Sequence, residues 1–331
     1  MPYRDSWSDL VGSRFWIAGS VSTYQTFIEQ SNVGIYMFGG FKDDFRRELI
    51  VAYSNLHNRS KLLIGPWMHC LNQGFDLVTE RLRFFDYWLK DIDNGIMSEQ
   101  PIEYYTTGAP AGSEWQTTDQ WPLRSERPTD FYFEAGKSLG EKKPAEGTDS
   151  FQVNYDLGKE LPTVTSIYSP PGPQDEKGIT YTTPPLASAM ELTGHPIVHL
   201  WMASTATDDH VFAYLEDVDA DGKAAIVTDG RLRASLRKLD TAPYKLLGLP
   251  YHRSFVEDAQ PLAPGQPAEL VFDMLPLSQV FAAGHRIRLT ITGADPREKD
   301  RPETTPPPTI TIFHDAMHAS FVTLPVIPSS H

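Results

Sequence analysis

Residues 33–69 read VGIYMFGGFKDDFRRELIVAYSNLHNRSKLLIGPWMH, and this stretch decides the fold of the first part of the chain. It contains two short apolar runs, 33–38 and 61–65, which end at Gly or Pro and are typical of buried strands. Between them, apolar residues recur at helical spacing over 45–56. A second amphipathic helix is predicted over 77–89. Strand, helix, strand and helix in succession predict a parallel sheet of the α/β class.

Each of these two strands is followed by a residue that can take part in acid–base chemistry. Asp43 follows the first strand and His69 follows the second. Because sites in open α/β sheets form outside the carboxyl ends of the strands, we expect the two side chains to lie within hydrogen-bond reach. An acid and then a histidine complete the Ser…Asp…His chain order of α/β-hydrolases. The alternative is that both residues only cap local backbone at the surface.

The character of the sequence changes after Asn94-Gly95. Long helical periods give way to short β-rich runs separated by Pro, Gly and Asp. The runs are 102–106, 131–133, 197–202, 210–215, 268–273, 286–292 and 309–313. The 27 prolines fit a loop-rich β domain, because proline is excluded from helix interiors and central strands. We therefore predict an α/β part over 1–98 and a β-sandwich over 99–331.

Composition and charge argue against several classes of protein, among them nucleic-acid-binding and membrane-spanning proteins. The chain has 331 residues and a formal net charge of −14, which argues against binding to nucleic acid or to an anionic membrane surface. No apolar stretch has the length of a membrane-spanning helix. Residues 1–10 lack the apolar centre of a signal peptide, so we expect a cytoplasmic location. The single cysteine, Cys70, allows no internal disulfide.

Several segments resemble one known family. GGFKDDF at 39–45, GPWMH at 65–69 and FFDYWLKDIDNGI at 84–96 are similar, in this order, to segments of the cocaine-esterase and X-prolyl dipeptidyl-peptidase family of serine hydrolases. Later segments, from YTTPPLASAMELTGHPIVHLWMAS at 181–204 to HASFVTLPVIP at 318–328, resemble the same family. The resemblance implies the last core strands and helices of an α/β-hydrolase domain, with a remnant of its cap. A galactose-binding-like jelly-roll β-sandwich would follow.

The resemblance also implies roles for single residues. Asp43 takes the place of the triad acid and His69 that of the triad base, in an enzyme that cleaves ester or amide bonds, peptides included, through a seryl ester. Family members are far longer. Their nucleophilic Ser, in a G-x-S-Y motif, and an oxyanion-hole Tyr would precede residue 1. Lys42 replaces the usual aromatic residue before the acid, and Asp44 adds a second carboxylate. We expect no cofactor.

Two serine motifs within the chain are candidate nucleophiles. Gly136–Gly140 matches G-x-S-x-G, but Ser138 comes after His69 and the residues that follow it cannot begin a packed helix. A hairpin turn is the predicted structure there. Gly19–Ser22 precedes Asp43 but lacks the strand, turn and helix that a nucleophile elbow requires.

Two further patterns resemble metal sites. Asp217–Gly222 matches the first half of an EF-hand loop, but the position of its bidentate Glu is occupied by Thr228. A polar hairpin turn is therefore predicted. His314 and His318 have helical spacing but lie among β runs, and zinc would need further ligands. We expect no bound metal.

Phe41 and Trp67 flank the predicted acid and base, and two interpretations of them stay open. They either form the wall of a substrate pocket or belong to the hydrophobic core, where such residues usually lie.

Three hypotheses of function also stay open. The chain is part of a serine hydrolase, a non-catalytic remnant or binding module, or one half of a split hydrolase whose Ser comes from another polypeptide. The strand at 33–38 has one predicted neighbour, and its other edge is a template for pairing. Residues 1–30 could cover this edge, but we expect pairing with a second copy or a missing N-terminal half, or aggregation, rather than a monomer. The expected substrate is a small ester, amide or peptide.

Overall fold

A computed structural model describes residues 3–159, 172–295 and 303–328 of the chain, and these residues are mostly β-structure with few helices. The helices are α1 (Phe15–Ala18), α2 (Val21–Gln30), α3 (Arg46–Asn55), α4 (Leu77–Lys90) and α5 (Gly172–Lys177). The strands are β1 (Trp7–Ser8), β2 (Ser13–Arg14), β3 (Ile35–Lys42), β4 (Ser60–Met68), β5 (Ile102–Tyr105), β6 (Trp115–Thr118), β7 (Arg127–Glu134), β8 (Ser138–Gly140), β9 (Thr148–Gln152), β10 (Ile179–Thr182), β11 (Met190–Gly194), β12 (Ile197–Ser204), β13 (His210–Val218), β14 (Ala224–Arg233), β15 (Ala268–Asp273), β16 (Leu277–Phe281), β17 (Arg286–Thr292), β18 (Thr309–Phe313) and β19 (Phe321–Ile327).

A four-stranded sheet in the order β3-β4-β5-β6 carries the candidate site. The first three strands are parallel and β6 is antiparallel to β5. The predicted strands and helices over 33–89 are confirmed, with α3 following β3 and α4 following β4. One assignment is wrong: Ile102–Tyr105 is not a strand of the β-sandwich but pairs with β4. The sheet therefore continues past residue 98.

β4 lacks the alternation of a half-exposed strand because both of its faces are covered. Leu62 and Ile64 pack with Ile50 of α3 on one face. Leu63 packs on the other face with Leu77, at the start of α4. All five of these leucine and isoleucine side chains are buried, with at most 6% of the residue exposed. The uninterrupted apolar run in the sequence is thus the mark of a strand between two helices.

Among the described strands, β1 and β2 pair only with each other, and the other 13 form a largely antiparallel assembly. Its longest path runs β14-β13-β17-β10-β8-β7-β19-β12-β18-β9, while β11, β15 and β16 branch from it. A single cluster of 29 buried apolar residues fills its interior. Strands such as β18 alternate buried and half-buried positions, as expected where one face packs on the core. No helix in the described ranges is both long and apolar enough to cross a membrane.

Candidate active site

The acid loop begins where β3 and β4 come unusually close. Gly40 pairs with Gly65 in the parallel register, and the register then shifts before Lys42. A Cβ atom on Gly40 would lie 2.0 Å from the carbonyl oxygen of Trp67, so only glycine permits this approach. The shift ends the regular pairing of the two strands and sends both chains into loops at the same edge of the sheet.

A short turn then fixes Asp43. Its backbone N–H donates to Gly40 O at 3.0 Å, and its Oδ1 accepts from the backbone N–H of Phe45 at 2.9 Å. The carboxylate is therefore held through one oxygen, as in an Asx turn. The second oxygen, Oδ2, is left to bind another group.

That group is His69, which follows β4. The Nδ1 atom of His69 lies 2.8 Å from Oδ2 of Asp43. The predicted contact between the two residues is thus present. Because a carboxylate accepts, Nδ1 carries the hydrogen and the lone pair of the neutral ring is on Nε2. Asp43 is 8% exposed, whereas the His69 side chain is 64% exposed. In the described part of the chain Nε2 has no hydrogen-bond partner.

Arg46 ties this loop to the large β assembly. It is 1% exposed, and its Nη1 donates to the carbonyl oxygen of Asp43 at 3.0 Å. Its Nε donates to Pro276 O at 2.8 Å and its Nη2 to Thr228 Oγ1 at 3.0 Å. Sequence reasoning missed this residue, although Arg46 and the buried Ile50 share a helix face at i, i+4 spacing. The position of the acid is consequently set by both parts of the molecule.

Open space adjoins the pair on the side of α3. The ring of Phe45 is 64% exposed and its centroid lies 5.6 Å from that of His69. Phe45 and Asp44 line a cavity of about 980 Å³ between the N-terminal segment, α3 and the loop that contains Tyr244. Its wall combines apolar residues, such as Trp16 and Val51, with charged ones. The cavity has room for a small organic molecule, and Phe45 is the residue of its wall that contacts His69.

Phe41 and Trp67 lie in the core instead of the cavity wall. Phe41 is 6% exposed and packs with Trp121, their ring centroids 6.3 Å apart. Trp67 is 3% exposed, packs against Phe38 and donates its indole N–H to Gln73 O at 2.8 Å. In this structure both side chains therefore pack in the hydrophobic core, which is one of the two interpretations left open by the sequence.

The candidate serines lie in other surroundings. Ser138 begins β8, which pairs with β7 across a tight connection, so the predicted hairpin turn is confirmed. Ser20 precedes α2 and follows the helix α1, with its Oγ 2.8 Å from that of Ser22. Both motifs therefore lack a strand leading into a turn and helix, as a nucleophile elbow requires.

The predicted metal patterns have local structural roles. Asp219 accepts from the backbone N–H of Asp221 and Lys223 in the hairpin between β13 and β14, as predicted for a polar turn. His314 binds Asp149 and His318 binds Asp315, so the two histidines do not share a ligand.

A histidine beside a carboxylate is not by itself distinctive in this chain. His285 Nδ1 lies 2.8 Å from Asp217 Oδ1, the same distance as in the candidate site. What sets Asp43 and His69 apart is their position, after neighbouring parallel strands at one edge of the sheet. His285 instead precedes an antiparallel strand, β17, and its side chain is only 26% exposed.

Comparison with known proteins identifies the family. Residues 94–323 match the family model described as the X-Pro dipeptidyl-peptidase C-terminal non-catalytic domain. A Mycobacterium bovis protein named as a serine esterase is 34% identical over 338 residues. The chain belongs to the cocaine-esterase and X-prolyl dipeptidyl-peptidase family. Cocaine esterase of Rhodococcus is a more distant relative, 25% identical over 303 residues.

The chain spans about half the length of these relatives. The alignments cover 93% of this chain but 52% of the mycobacterial protein, and 81% of this chain but 49% of cocaine esterase. The solved structure of a CocE/NonD family hydrolase from Staphylococcus aureus superposes with a TM-score of 0.75, over 97% of this chain and 59% of that one. At 16% identity this likeness shows the fold alone.

Proposed function

We propose that this chain supplies the acid and the base of an acyl hydrolase that cleaves an ester or amide bond by serine catalysis. The observation that carries the proposal is the 2.8 Å contact between Asp43 Oδ2 and His69 Nδ1, combined with a His69 side chain that is 64% exposed. The family names of the relatives agree with this chemistry.

In the proposed mechanism, Asp43 holds His69 in the tautomer whose lone pair is on Nε2. Nε2 takes the proton of a serine hydroxyl as its oxygen attacks the substrate carbonyl. The buried carboxylate stabilises the imidazolium that results, which then gives the proton to the leaving alcohol or amine. A water molecule, activated in the same way, cleaves the seryl ester and releases the acid. We place the acyl or leaving group in the cavity beside Phe45.

For the fold, we propose that the four-stranded sheet is part of an α/β-hydrolase domain and that the 13-stranded assembly is a jelly-roll β-sandwich. The parallel strands β3 to β5 with their intervening helices support the first assignment. The division proposed from the sequence, 1–98 and 99–331, needs the addition of β5 and β6 to the first part.

A non-catalytic binding module is the second candidate. The description of the matching family model, a non-catalytic domain over residues 94–323, favours it for the β-rich part. Asp43 and His69 lie before that range, so the two candidates make different predictions about these residues.

A fusion protein distinguishes the acyl hydrolase from the binding module. The full chain is joined to the half of the mycobacterial relative that it does not align with, and hydrolysis of p-nitrophenyl esters and labelling by a fluorophosphonate are measured. Asp43→Asn should lower kcat roughly 10⁴-fold, because the wrong histidine tautomer is held. His69→Gln should abolish labelling of the serine.

His285→Gln is the matched control, since it removes a histidine with the same carboxylate distance. It should leave activity unchanged. A fusion that hydrolyses esters equally well with His69→Gln, or one that is folded but inert, would contradict the hydrolase proposal and favour the binding module. Hydrolysis by the chain alone that is lost in Ser138→Ala or Ser22→Ala would assign the nucleophile to this chain.

A further inference from the structure

One of the contacts that hold Asp43 leads out of the acid loop. The backbone N–H and the Oδ1 atom of Asp43 both bond within residues 40–45, to Gly40 O and to the N–H of Phe45. The carbonyl oxygen of Asp43 instead accepts from Nη1 of Arg46 at 3.0 Å. Because the guanidinium of Arg46 also bonds to the β-rich part, it connects the acid to that part of the molecule.

The two acceptors of Arg46 in the β-rich part are fixed to each other. Nη2 donates to Thr228 Oγ1 at 3.0 Å, and Nε donates to Pro276 O at 2.8 Å. The Thr228 hydroxyl donates in turn to Leu275 O at 2.6 Å, and the N–H of Leu275 donates to Asp229 O at 2.8 Å. Strand β14 and the segment that precedes β16 therefore hold the guanidinium as one unit.

The backbone of β14 is irregular next to Thr228. The register between β13 and β14 shifts there by one residue, and Val227 is the extra residue of β14. A β-bulge of this kind redirects side chains and is frequent beside active sites. Thr228 is 0% exposed and Arg46 is 1% exposed, so water does not replace either partner. The hydroxyl is thus both aimed at the guanidinium and shielded with it.

We propose that Arg46 and Thr228 are positioning residues for the acid, so that the β-rich part takes part in the catalytic site. Thr228 fixes the guanidinium, the guanidinium fixes the carbonyl of Asp43, and the Asp43 carboxylate then meets His69 Nδ1 at 2.8 Å. This inference rests on the proposed function, because it gives a catalytic purpose to the geometry of the acid and the base.

The assignment goes beyond the description of the matching family model. That description calls residues 94–323 a non-catalytic domain, and the range includes both Thr228 and Pro276. In the proposal these residues touch no substrate and act through Arg46. The β-rich part therefore contributes to catalysis by setting the position of a group that lies outside it.

Arg47 provides a matched comparison. It follows Arg46 on α3, and its guanidinium pairs with both carboxylate oxygens of Asp273, at the end of β15. Arg47 thus joins the same helix to the same part of the molecule through a different contact. Loss of either arginine should loosen the two parts, whereas a change at His69 should follow only from loss of Arg46.

The test observes the acid and the base in the full chain. Proton–nitrogen correlation NMR of the imidazole rings reports the tautomer of His69 and the rate at which its Nδ1 hydrogen exchanges with water. Arg46→Ala should speed this exchange roughly tenfold or more and populate the other tautomer, because the acid loses a charge-assisted hydrogen bond. Thr228→Val, which keeps the shape of the side chain, should speed it roughly fivefold through loss of one hydrogen bond.

Two controls accompany these variants. Arg47→Ala removes the ion pair with Asp273 and should leave the His69 signals unchanged, even where urea unfolding shows a loss of stability. The ring of His285, whose Nδ1 lies 2.8 Å from Asp217 Oδ1, is an internal reference and should keep its tautomer in all three variants.

Unchanged His69 signals in folded Arg46→Ala or Thr228→Val contradict the positioning role, and if Arg46→Ala does not fold, Thr228→Val decides alone. An equal change with Arg47→Ala contradicts it too, because the effect would then come from loosening the two parts. Neither outcome affects the proposed function. Conversely, a fusion protein that hydrolyses esters without His69 refutes the proposed function, whatever the NMR measurement shows of the geometry.

Discussion

The segment up to Ile92 and the β-rich part bury their apolar residues to very different extents. The β-rich part packs 29 buried apolar residues into one cluster, whereas the four-stranded sheet has clusters of eight and three. The exposed large apolar residues show the opposite distribution, with 16 of 19 in the first segment. The β-rich part closes its own core. The first segment leaves far more large apolar side chains exposed to solvent than the β-rich part does.

A matched pair of leucines gives the largest expected difference between the two parts. Leu289 is fully buried in the main cluster, and Leu289→Ala should lower the free energy of unfolding by about 2–5 kcal/mol through lost contacts and a cavity. Leu89, near the end of α4, is 76% exposed, and Leu89→Ala should change the free energy of unfolding by less than about 0.5 kcal/mol. Urea unfolding of both variants measures this. Equal losses of stability would mean that Leu89 is buried in solution.

A second comparison concerns the link between the parts. Arg46→Ala leaves three buried or half-buried acceptors, on Asp43, Pro276 and Thr228, without this donor. We expect a loss of about 2–3 kcal/mol, because buried acceptors without partners are costly. In limited proteolysis the first segment should then be digested at earlier times than the β-rich part. Arg81→Ala, at an exposed position of α4, is the control. Unchanged protease resistance with Arg46→Ala would show that the parts are held together by other contacts.

A third comparison lies within the β-rich part and depends on pH. Burial raises the pKa of Glu216 to about 9, and the neighbouring Asp175 adds to the shift, while Arg288 opposes it. The folded state therefore holds a proton that the unfolded chain releases near its ordinary pKa of 4.5. Stability from this group is present below pH 4.5 and is lost as pH rises towards 9, at a rate of at most about 1.4 kcal/mol per pH unit.

The Glu216→Gln variant has a side chain at this position that is uncharged at every pH. Its melting temperature relative to the wild type should therefore rise between pH 5 and pH 8, since only the wild type loses stability over this range. Glu141→Gln, at an exposed position, controls for the loss of one charge. If the difference in melting temperature between Glu216→Gln and the wild type is constant between pH 5 and pH 8, Glu216 is ionised in the folded protein.

Local periodicity was sufficient to predict the strands and helices that position the site. The run around Leu62 to Ile64 and the helical spacing of 77–89 each correspond to an observed element. The placement of Asp43 beside His69 followed from the rule that parallel strands end at the same edge. Both inferences depend on patterns within a few tens of residues.

Long-range packing explains what the sequence could not predict. Ile102–Tyr105 reads like any sandwich strand, and its pairing with β4 is decided by tertiary structure. Phe41 is buried because Trp121, 80 residues later, covers it. The hydrogen-bond acceptors of Arg46, on Thr228 and Pro276, lie still further along the chain. In each case the deciding neighbour lies far along the chain.

Hydrogen exchange tests most directly whether the first segment is less stably packed than the β-rich part. Amides of β3 that do not bond to β4 should exchange roughly 10²-fold faster than those of β13, which has a neighbour on each side. If the amides of β3 are instead as protected as those of β13, the two parts of the molecule are equally stable and the contrast drawn between them is contradicted.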